Sequence, residues 1–157
     1  MKRPSTSDNH LNNKAKLLVD TFAEQEGRRP RILLSNIEDE QHEHDVKIIA
    51  SAYADLGFDV DLAPVFHSSQ DLSKQAIEND VSALYLTSIS KKSLPQILEI
   101  IVSLTNYGSE YILLVVDGTS ITEDESALLS SSGVHIILNE TMLVPEVAIR
   151  ILNYLVA

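Results

Sequence analysis

The densest group of polar residues in the chain lies at 36–45, which reads NIEDEQHEHD. Its five acids and two histidines are the carboxylate and imidazole groups that proteins use to bind divalent metal ions. His42 and His44 are two residues apart, however, so they would not share one face of a helix. A dedicated zinc or iron site is therefore one hypothesis for this segment, and the residue spacing weakens it.

Two further interpretations compete for the same segment. Glu38 and Asp39 could form the acidic magnesium pocket of an aspartate-phosphorylation site, but the third predicted strand ends in Thr87-Ser88 and supplies no acceptor aspartate. The simplest interpretation is a solvated loop whose acids favour the N-terminus of the following helix. Residue types alone favour this last interpretation.

Length and composition limit the function classes. With 157 residues the chain fits a single domain and is too short to contain a (β/α)₈ barrel. It has no cysteine, which excludes a disulfide framework, a zinc–thiolate site and a cysteine nucleophile. A net charge of −11 argues against a nucleic-acid partner, since phosphate contacts need clustered lysine and arginine. No apolar run reaches the length of a membrane span, so we expect a cytoplasmic protein with no membrane partner.

The remaining polar motifs indicate structure rather than chemistry. The basic cluster Arg28-Arg29-Pro30-Arg31 is interpreted as a solvated lead into the first strand. His67 and His135 are isolated in the sequence and are interpreted as structural or surface residues. No nucleophile elbow, phosphate-binding loop or dinucleotide-binding glycine motif is present.

Apolar periodicity predicts a helix at 12–26, followed by an alternation of strands and helices. The predicted strands are residues 31–37, 58–64, 81–88, 111–116 and 134–138. The helices that follow them are residues 45–56, 68–79, 93–106, 122–133 and 145–156. Ser68, Ser93 and Thr122 each stand three residues before an acid or a glutamine, which is the pattern of a capping box. We expect residues 1–11 to form a disordered tail, 12–27 an N-terminal helix and 28–157 one α/β domain.

Strands that are joined by helical crossovers pair in parallel. The sequence therefore predicts a flavodoxin-like (Rossmann-like) five-stranded parallel sheet in the order 2-1-3-4-5, with helices on both faces. In such sheets ligands bind at the carboxyl ends of the strands. The loops at that edge are 36–45, 87–93, 117–122 and 138–144.

Two stretches of sequence carry a resemblance to a known family. Residues 24–34 read EQEGRRPRILL, and residues 50–61 read ASAYADLGFDVD. Together with the helix start Val144-Pro145-Glu146, they resemble the cobalamin-binding domain of the methylmalonyl-CoA mutase family over roughly residues 20–157. The resemblance implies the same fold and adenosylcobalamin as the cofactor.

In that family the loop after the first strand carries the motif D-x-H-x-x-G. Its histidine is the lower ligand of cobalt, and its aspartate hydrogen-bonds that histidine. The aligned residues here are Glu40, His42 and Asp45, so the resemblance implies His42 as the cobalt ligand and Glu40 as its partner. Asp45 stands in place of the glycine, and Asn36 stands where the family has a lysine.

The other cofactor loops also differ from the family pattern. The family motif S-x-L, beside the buried nucleotide tail of the cofactor, corresponds to Thr87-Ser88-Ile89. One glycine pair corresponds to Lys91-Lys92, and a second pair, after the fourth strand, corresponds to Asp117-Gly118. The cofactor-binding residues implied by the resemblance are thus His42, Glu40, Thr87, Ser88, Ile89, Asp117 and Gly118.

Glycine usage also predicts weakened binding. Of five glycines, four stand at the ends of predicted helices, where positive φ angles are expected: Gly27, Gly57, Gly108 and Gly133. Only Gly118 remains for a ligand loop, although a bulky cofactor with an inserted tail favours glycine where the backbone approaches it.

The resemblance also implies a division of labour. In the family a separate barrel carries the radical chemistry, and this domain only presents the cofactor. We therefore expect a chain that is not catalytic alone and that works with the large catalytic subunit of an acyl-CoA mutase. Two alternatives stay open: a degenerate paralogue with a structural or regulatory role, and a stand-alone sensor or binding module.

Overall fold

A computed structural model describes residues 8–37, 43–63, 68–87 and 89–156 of the chain. The helices within these ranges are α1 (Asp8–Glu26), α2 (Glu43–Asp55), α3 (Ser69–Glu78), α4 (Leu94–Asn106), α5 (Glu123–Ser132) and α6 (Val144–Leu155). The strands are β1 (Arg31–Asn36), β2 (Asp59–Leu62), β3 (Ala83–Thr87), β4 (Leu113–Asp117) and β5 (Ile136–Leu138). A short 3-10 turn, Lys91–Ser93, leads into α4.

The strands form one parallel sheet in the order β2-β1-β3-β4-β5. This confirms the predicted flavodoxin-like architecture, including helices on both faces. The central strands β1 and β3 are buried almost throughout because helices cover both of their faces. The edge strand β2 is partly exposed along its whole length.

Successive residues of a strand point to opposite faces, so each central strand contributes to two separate cores. The first core lies under α1, α2 and α6, and the second lies under α3, α4 and α5. α1 packs along α6 and contributes Ala15, Val19 and Phe22 to the first core. Among the described helices, none is both long enough and apolar enough to cross a membrane.

α1 begins four residues earlier than the apolar pattern predicted, at Asp8. Residues 8–11 therefore belong to the helix rather than to a tail, and Leu11 packs against the first core. Residues 1–7 lie outside the described residues. Strands β3 and β5 start later than predicted because the N–H groups of Val81 and Val134 donate to carbonyls of the preceding helices instead of to the sheet.

The helix caps follow the sequence pattern with one exception. Thr122 Oγ1 accepts from the Glu125 N–H at 3.1 Å, and Glu125 Oε1 accepts from the Thr122 N–H at 2.9 Å, which completes the predicted capping box. The predicted cap of α4 at Ser93 is wrong, because Ser93 already has helical backbone angles and makes no side-chain cap. Ser90 has the extended backbone of a cap residue, so the box forms one turn earlier, between Ser90 and Ser93.

The predicted solvated basic cluster is a structural feature of the amino edge of the sheet. Arg28 Nη1 donates to the carbonyl oxygen of Asp80, after α3, at 2.9 Å. Arg29 Nη1 donates to the carbonyl oxygen of Gly57, after α2, at 3.0 Å. Arg31 Nη1 donates to the carbonyl oxygen of Asn79, at the end of α3, at 3.3 Å. These cations stabilise helix C-termini, where carbonyls lack partners and the helix dipole is negative.

His135 links β4 to β5 at the same edge. Its ring Nδ1 accepts a hydrogen bond from the backbone N–H of Leu114 at 3.0 Å. The backbone N–H of His135 donates to the Leu114 carbonyl at 2.9 Å. Because Nδ1 is an acceptor, the ring is neutral and carries its proton on Nε2. Burial lowers the pKa of His135 from its ordinary value, in agreement with this neutral form.

Acid should therefore weaken the fold through His135. Its folded-state pKa is lowered, so its contribution to stability is present above about pH 6.5 and is lost as the pH falls through the folded-state pKa. His135→Asn keeps an acceptor oxygen and does not titrate. We expect this variant to lose less stability than wild type between about pH 7 and pH 5, measured by urea unfolding at each pH.

The matched control is His10→Asn, which changes an exposed histidine of α1. The control should keep the pH dependence of wild type. An identical pH dependence in all three proteins would contradict the role assigned to His135.

Candidate functional site

The carboxyl edge of the sheet carries three polar residues in one row. Asn36 ends β1, Thr87 ends β3 and Asp117 ends β4. Asn36 pairs with Thr87 in the register, and Asp117 follows Val116, whose partner is Leu86. By strand alternation all three side chains point to the face of α2 and α6. This is the edge at which the sequence predicted the ligand loops.

Two of the predicted site residues are packed inside the domain. Thr87 is 3% exposed, and its hydroxyl donates to the Ser35 carbonyl at 3.4 Å. Ile89 is 2% exposed and belongs to the second core. The Ser35 hydroxyl is also buried and has no hydrogen-bond partner in the described part of the chain. Neither Thr87 nor Ile89 presents its side chain to a ligand at the surface.

The loop after β4 is held by its own contacts. Asp117 Oδ1 accepts from the Thr119 N–H at 3.0 Å, which forms a tight turn. The Gly118 N–H donates to the Leu138 carbonyl at 2.9 Å. A Cβ at Gly118 would meet Ile137 Cγ2 and would lie 3.0 Å from the Leu138 oxygen. The packing of this loop on β5 therefore requires glycine at position 118.

Lys91 and Lys92, which stand in place of a glycine pair, lie on the 3-10 turn before α4. Both are exposed, and the Ser90 hydroxyl accepts from the Lys92 N–H at 3.4 Å. As exposed residues that follow β3, they supply positive charge at the carboxyl edge of the sheet.

Glu40, His42 and Ser88 lie outside the described residues, as does most of the acidic segment. The positions of Ile37 and Glu43 show that this segment joins the carboxyl end of β1 to the start of α2. The roles assigned to its side chains stay predictions. Within the ranges given above, no group of three histidine, cysteine or acidic residues is placed to hold a metal ion.

Tyr53 and Tyr85 are not among the site residues that the sequence predicted. Tyr85 lies two residues before Thr87 on the same face of β3, and it is buried against Tyr53 of α2. The two rings fill the interior next to Thr87. The resemblance implies the nucleotide tail of the cofactor at this same place. The described residues do not fit a tail inserted between the sheet and α2. A tyrosine in an otherwise aliphatic strand, ALYLT, was the available signal.

Gly118 supplies a test of how this edge is built. Gly118→Ala should lower the free energy of unfolding by about 1–3 kcal/mol, because the added methyl group overpacks against β5. In an Ile137→Ala background the same change should cost at least about 1 kcal/mol less, since the opposing methyl group is gone. Urea unfolding of the four proteins gives this coupling energy. A coupling energy near zero would contradict the contact with Ile137.

No protein-family model matches the chain. Several solved structures are similar in fold, and two of them illustrate this likeness. A cobalamin-binding protein from Desulfitobacterium hafniense DCB-2 has a TM-score of 0.65 at 12% identity, with 93% of this chain and 70% of that chain covered. A two-component response regulator from Clostridium difficile has a TM-score of 0.59 at 17% identity, with 81% of this chain and 96% of that chain covered. At these identities the likeness concerns the fold alone.

Curated relatives are considerably more similar in sequence. The methylmalonyl-CoA mutase large subunit of Propionibacterium freudenreichii subsp. shermanii is 37% identical over 141 residues, which cover 90% of this chain and 19% of that protein. The methylmalonyl-CoA mutase of Escherichia coli K12 is 38% identical over 116 residues, which cover 74% of this chain and 16% of that protein. The chain thus spans about a fifth of the length of these relatives. Over about nine tenths of its length, the chain resembles one segment of the methylmalonyl-CoA mutases, as its sequence predicted.

Proposed function

We propose that the chain is a cobalamin-binding-type domain of an adenosylcobalamin-dependent acyl-CoA mutase, similar to methylmalonyl-CoA mutase. It presents the cofactor to a catalytic barrel on a separate large subunit and is not catalytic alone. The observation that carries this proposal is the 37% identity of about nine tenths of the chain to a fifth of a mutase large subunit. The likeness in fold to a protein described as cobalamin-binding supports it.

His42 is the proposed lower ligand of cobalt. It belongs to the segment between β1 and α2, and parallel sheets of this kind bind ligands at that edge. A carboxylate oxygen of Glu40 is proposed to accept a hydrogen bond from the N–H of the other ring nitrogen of His42. This bond would fix the tautomer and orientation of the imidazole. Bound cobalamin supplies the radical chemistry, while the residues of this chain bind and orient the cofactor.

The affinity for cobalamin is proposed to be lower than in a domain with intact loops. Asp45, Lys91 and Lys92 replace glycines of the family pattern, and Gly118 is required by packing on β5. The cofactor tail carries a phosphodiester, and the acids of segment 38–45 repel such an anion. Lys91 and Lys92 offset only part of this repulsion because solvent screens exposed charges.

The packing at the carboxyl edge favours a second candidate function. Thr87 and Ile89 are buried, and aromatic rings fill the interior beside Thr87. A chain that keeps the fold but does not take up cobalamin would serve as a structural or regulatory subunit of the same enzyme.

Absorbance titration with hydroxocobalamin tests the first function. If wild type binds cobalamin, the spectrum should be that of a cobalamin whose own base is displaced by an imidazole. His42→Ala should remove that spectrum, whereas His44→Ala, the matched control, should leave it nearly unchanged. A histidine-ligated spectrum in His42→Ala would contradict the assignment. No spectral change in wild type up to about 1 mM cobalamin would favour the second function.

The proposed partner is expected to dock on this chain at the carboxyl edge of the sheet, where the acidic segment 38–45 follows β1. We expect the mutase large subunit to co-purify with the chain at low salt and to dissociate at high salt. Glu38→Gln with Asp39→Asn should weaken the complex by about threefold or more at low salt, measured by surface plasmon resonance.

The control pair, Glu24→Gln with Glu26→Gln, removes the same charge from the exposed end of α1. It should leave the affinity for the large subunit unchanged. If the chain is recovered from its host only as a monomer or self-associated form at every salt concentration, the partnership is refuted.

A further inference from the structure

An aromatic cluster lies beneath the polar row at the carboxyl edge. Tyr53 of α2 is in edge contact with Phe58, with ring centroids 5.5 Å apart and planes at 90°. Tyr53 also meets Tyr85 of β3, with centroids 5.7 Å apart and planes at 70°. Tyr53 and Tyr85 are at most 1% exposed. The rings therefore form a continuous wall between the sheet and α2.

Tyr85 lies on the same face of the sheet as Asn36, Thr87 and Asp117, one alternation inward from Thr87 on β3. Burial raises the pKa of Tyr85, and the Asp117 carboxylate raises it further, so the phenol lies within electrostatic reach of Asp117. Thr87 is two positions after Tyr85 on β3, which is a rise of about 7 Å along the same face. Tyr85 is thus the next large side chain inward from Thr87.

The Tyr53 hydroxyl lies beside Tyr85 in the same interior. It is fully buried and makes no well-formed hydrogen bond among the described residues. A buried hydroxyl without a partner destabilises a protein, whereas phenylalanine would fill the same volume without that polar atom. The Tyr53 hydroxyl is therefore a polar group in this interior that has no partner among the described residues.

We propose that the Tyr85 ring occupies the space that the nucleotide tail of a cobalamin would need, so that the chain prefers corrinoids without a nucleotide tail. This inference rests on the proposed corrinoid function. Tyr85 is then the residue that determines which corrinoids bind. Protein interiors leave few voids larger than a water molecule, so a ring and a tail cannot share this space.

Cobinamide, which has the corrin ring and cobalt but no nucleotide, is the matched probe for cobalamin. Absorbance titrations should give wild type an affinity for diaquocobinamide at least about tenfold higher than for hydroxocobalamin. Tyr85→Ala should raise the affinity for cobalamin about tenfold and leave that for cobinamide unchanged. Tyr111→Ala removes an exposed tyrosine at the opposite edge of the sheet and should change neither affinity.

Circular dichroism and thermal unfolding show whether the variants fold. Tyr85→Val leaves a smaller void than Tyr85→Ala, so it replaces Tyr85→Ala if the latter is unfolded. If both variants fail to fold, Tyr85→Leu, which keeps more of the buried apolar volume, takes their place, and a smaller preference for cobinamide than in wild type supports the role of Tyr85. Equal wild-type affinities for the two corrinoids overturn it.

The same titrations distinguish an error in the role of His42 from an error in the role of Tyr85. If His42→Ala leaves cobinamide affinity unchanged while Tyr85→Ala still raises cobalamin affinity, the cobalt ligand is misassigned and the role of Tyr85 stands. If cobinamide binds through His42 but a folded Tyr85 variant gains nothing for cobalamin, the proposed function stands and the role of Tyr85 is wrong. No binding of either corrinoid to wild type and variants overturns both.

Discussion

The parallel pairing of β1 with β3 is the constraint on which the rest of this structure depends. Helices cover both faces of these strands, so their backbone groups are removed from water and must find their partners in each other. The pairing sets Asn36 beside Thr87, and the next register brings Asp117 into the same row. A shift of one residue would turn each of these polar side chains to the other face. The chemistry available at the carboxyl edge is therefore fixed by hydrogen bonds in the middle of the sheet.

The interior of the first core has two competing uses. Large aromatic side chains stabilise a domain because they bury much apolar area, and the cluster of Tyr53, Phe58 and Tyr85 does this between the sheet and α2. An inserted ligand needs that same volume to be free. In this chain aromatic side chains occupy that volume, which favours the stability of the domain over room for a ligand.

Patterns that depend on neighbouring residues were predicted well from the sequence. Strand order, the Thr122 capping box and the positive φ angles of the four helix-end glycines all follow from local signals. Contacts between distant residues were not predictable in this way. Arg28 reaches a carbonyl 52 residues away, and the position of Tyr85 against Tyr53 depends on how α2 lies over the sheet. The site was predicted as a set of loops, but the space behind Thr87 could be judged only from the packed interior.

The packing of α1 against α6 joins two helices that are separated by more than one hundred residues. On the ribosome, α1 is complete long before α6 has been synthesised. The apolar face of α1, formed by Ala15, Val19 and Phe22, is therefore exposed to solvent until then. The second core can close earlier, because its helices all precede α6 in the chain. Synthesis therefore passes through an intermediate in which the second core is packed and the apolar face of α1 is exposed. The time that the ribosome needs to complete α6 sets how long this face can take part in aggregation.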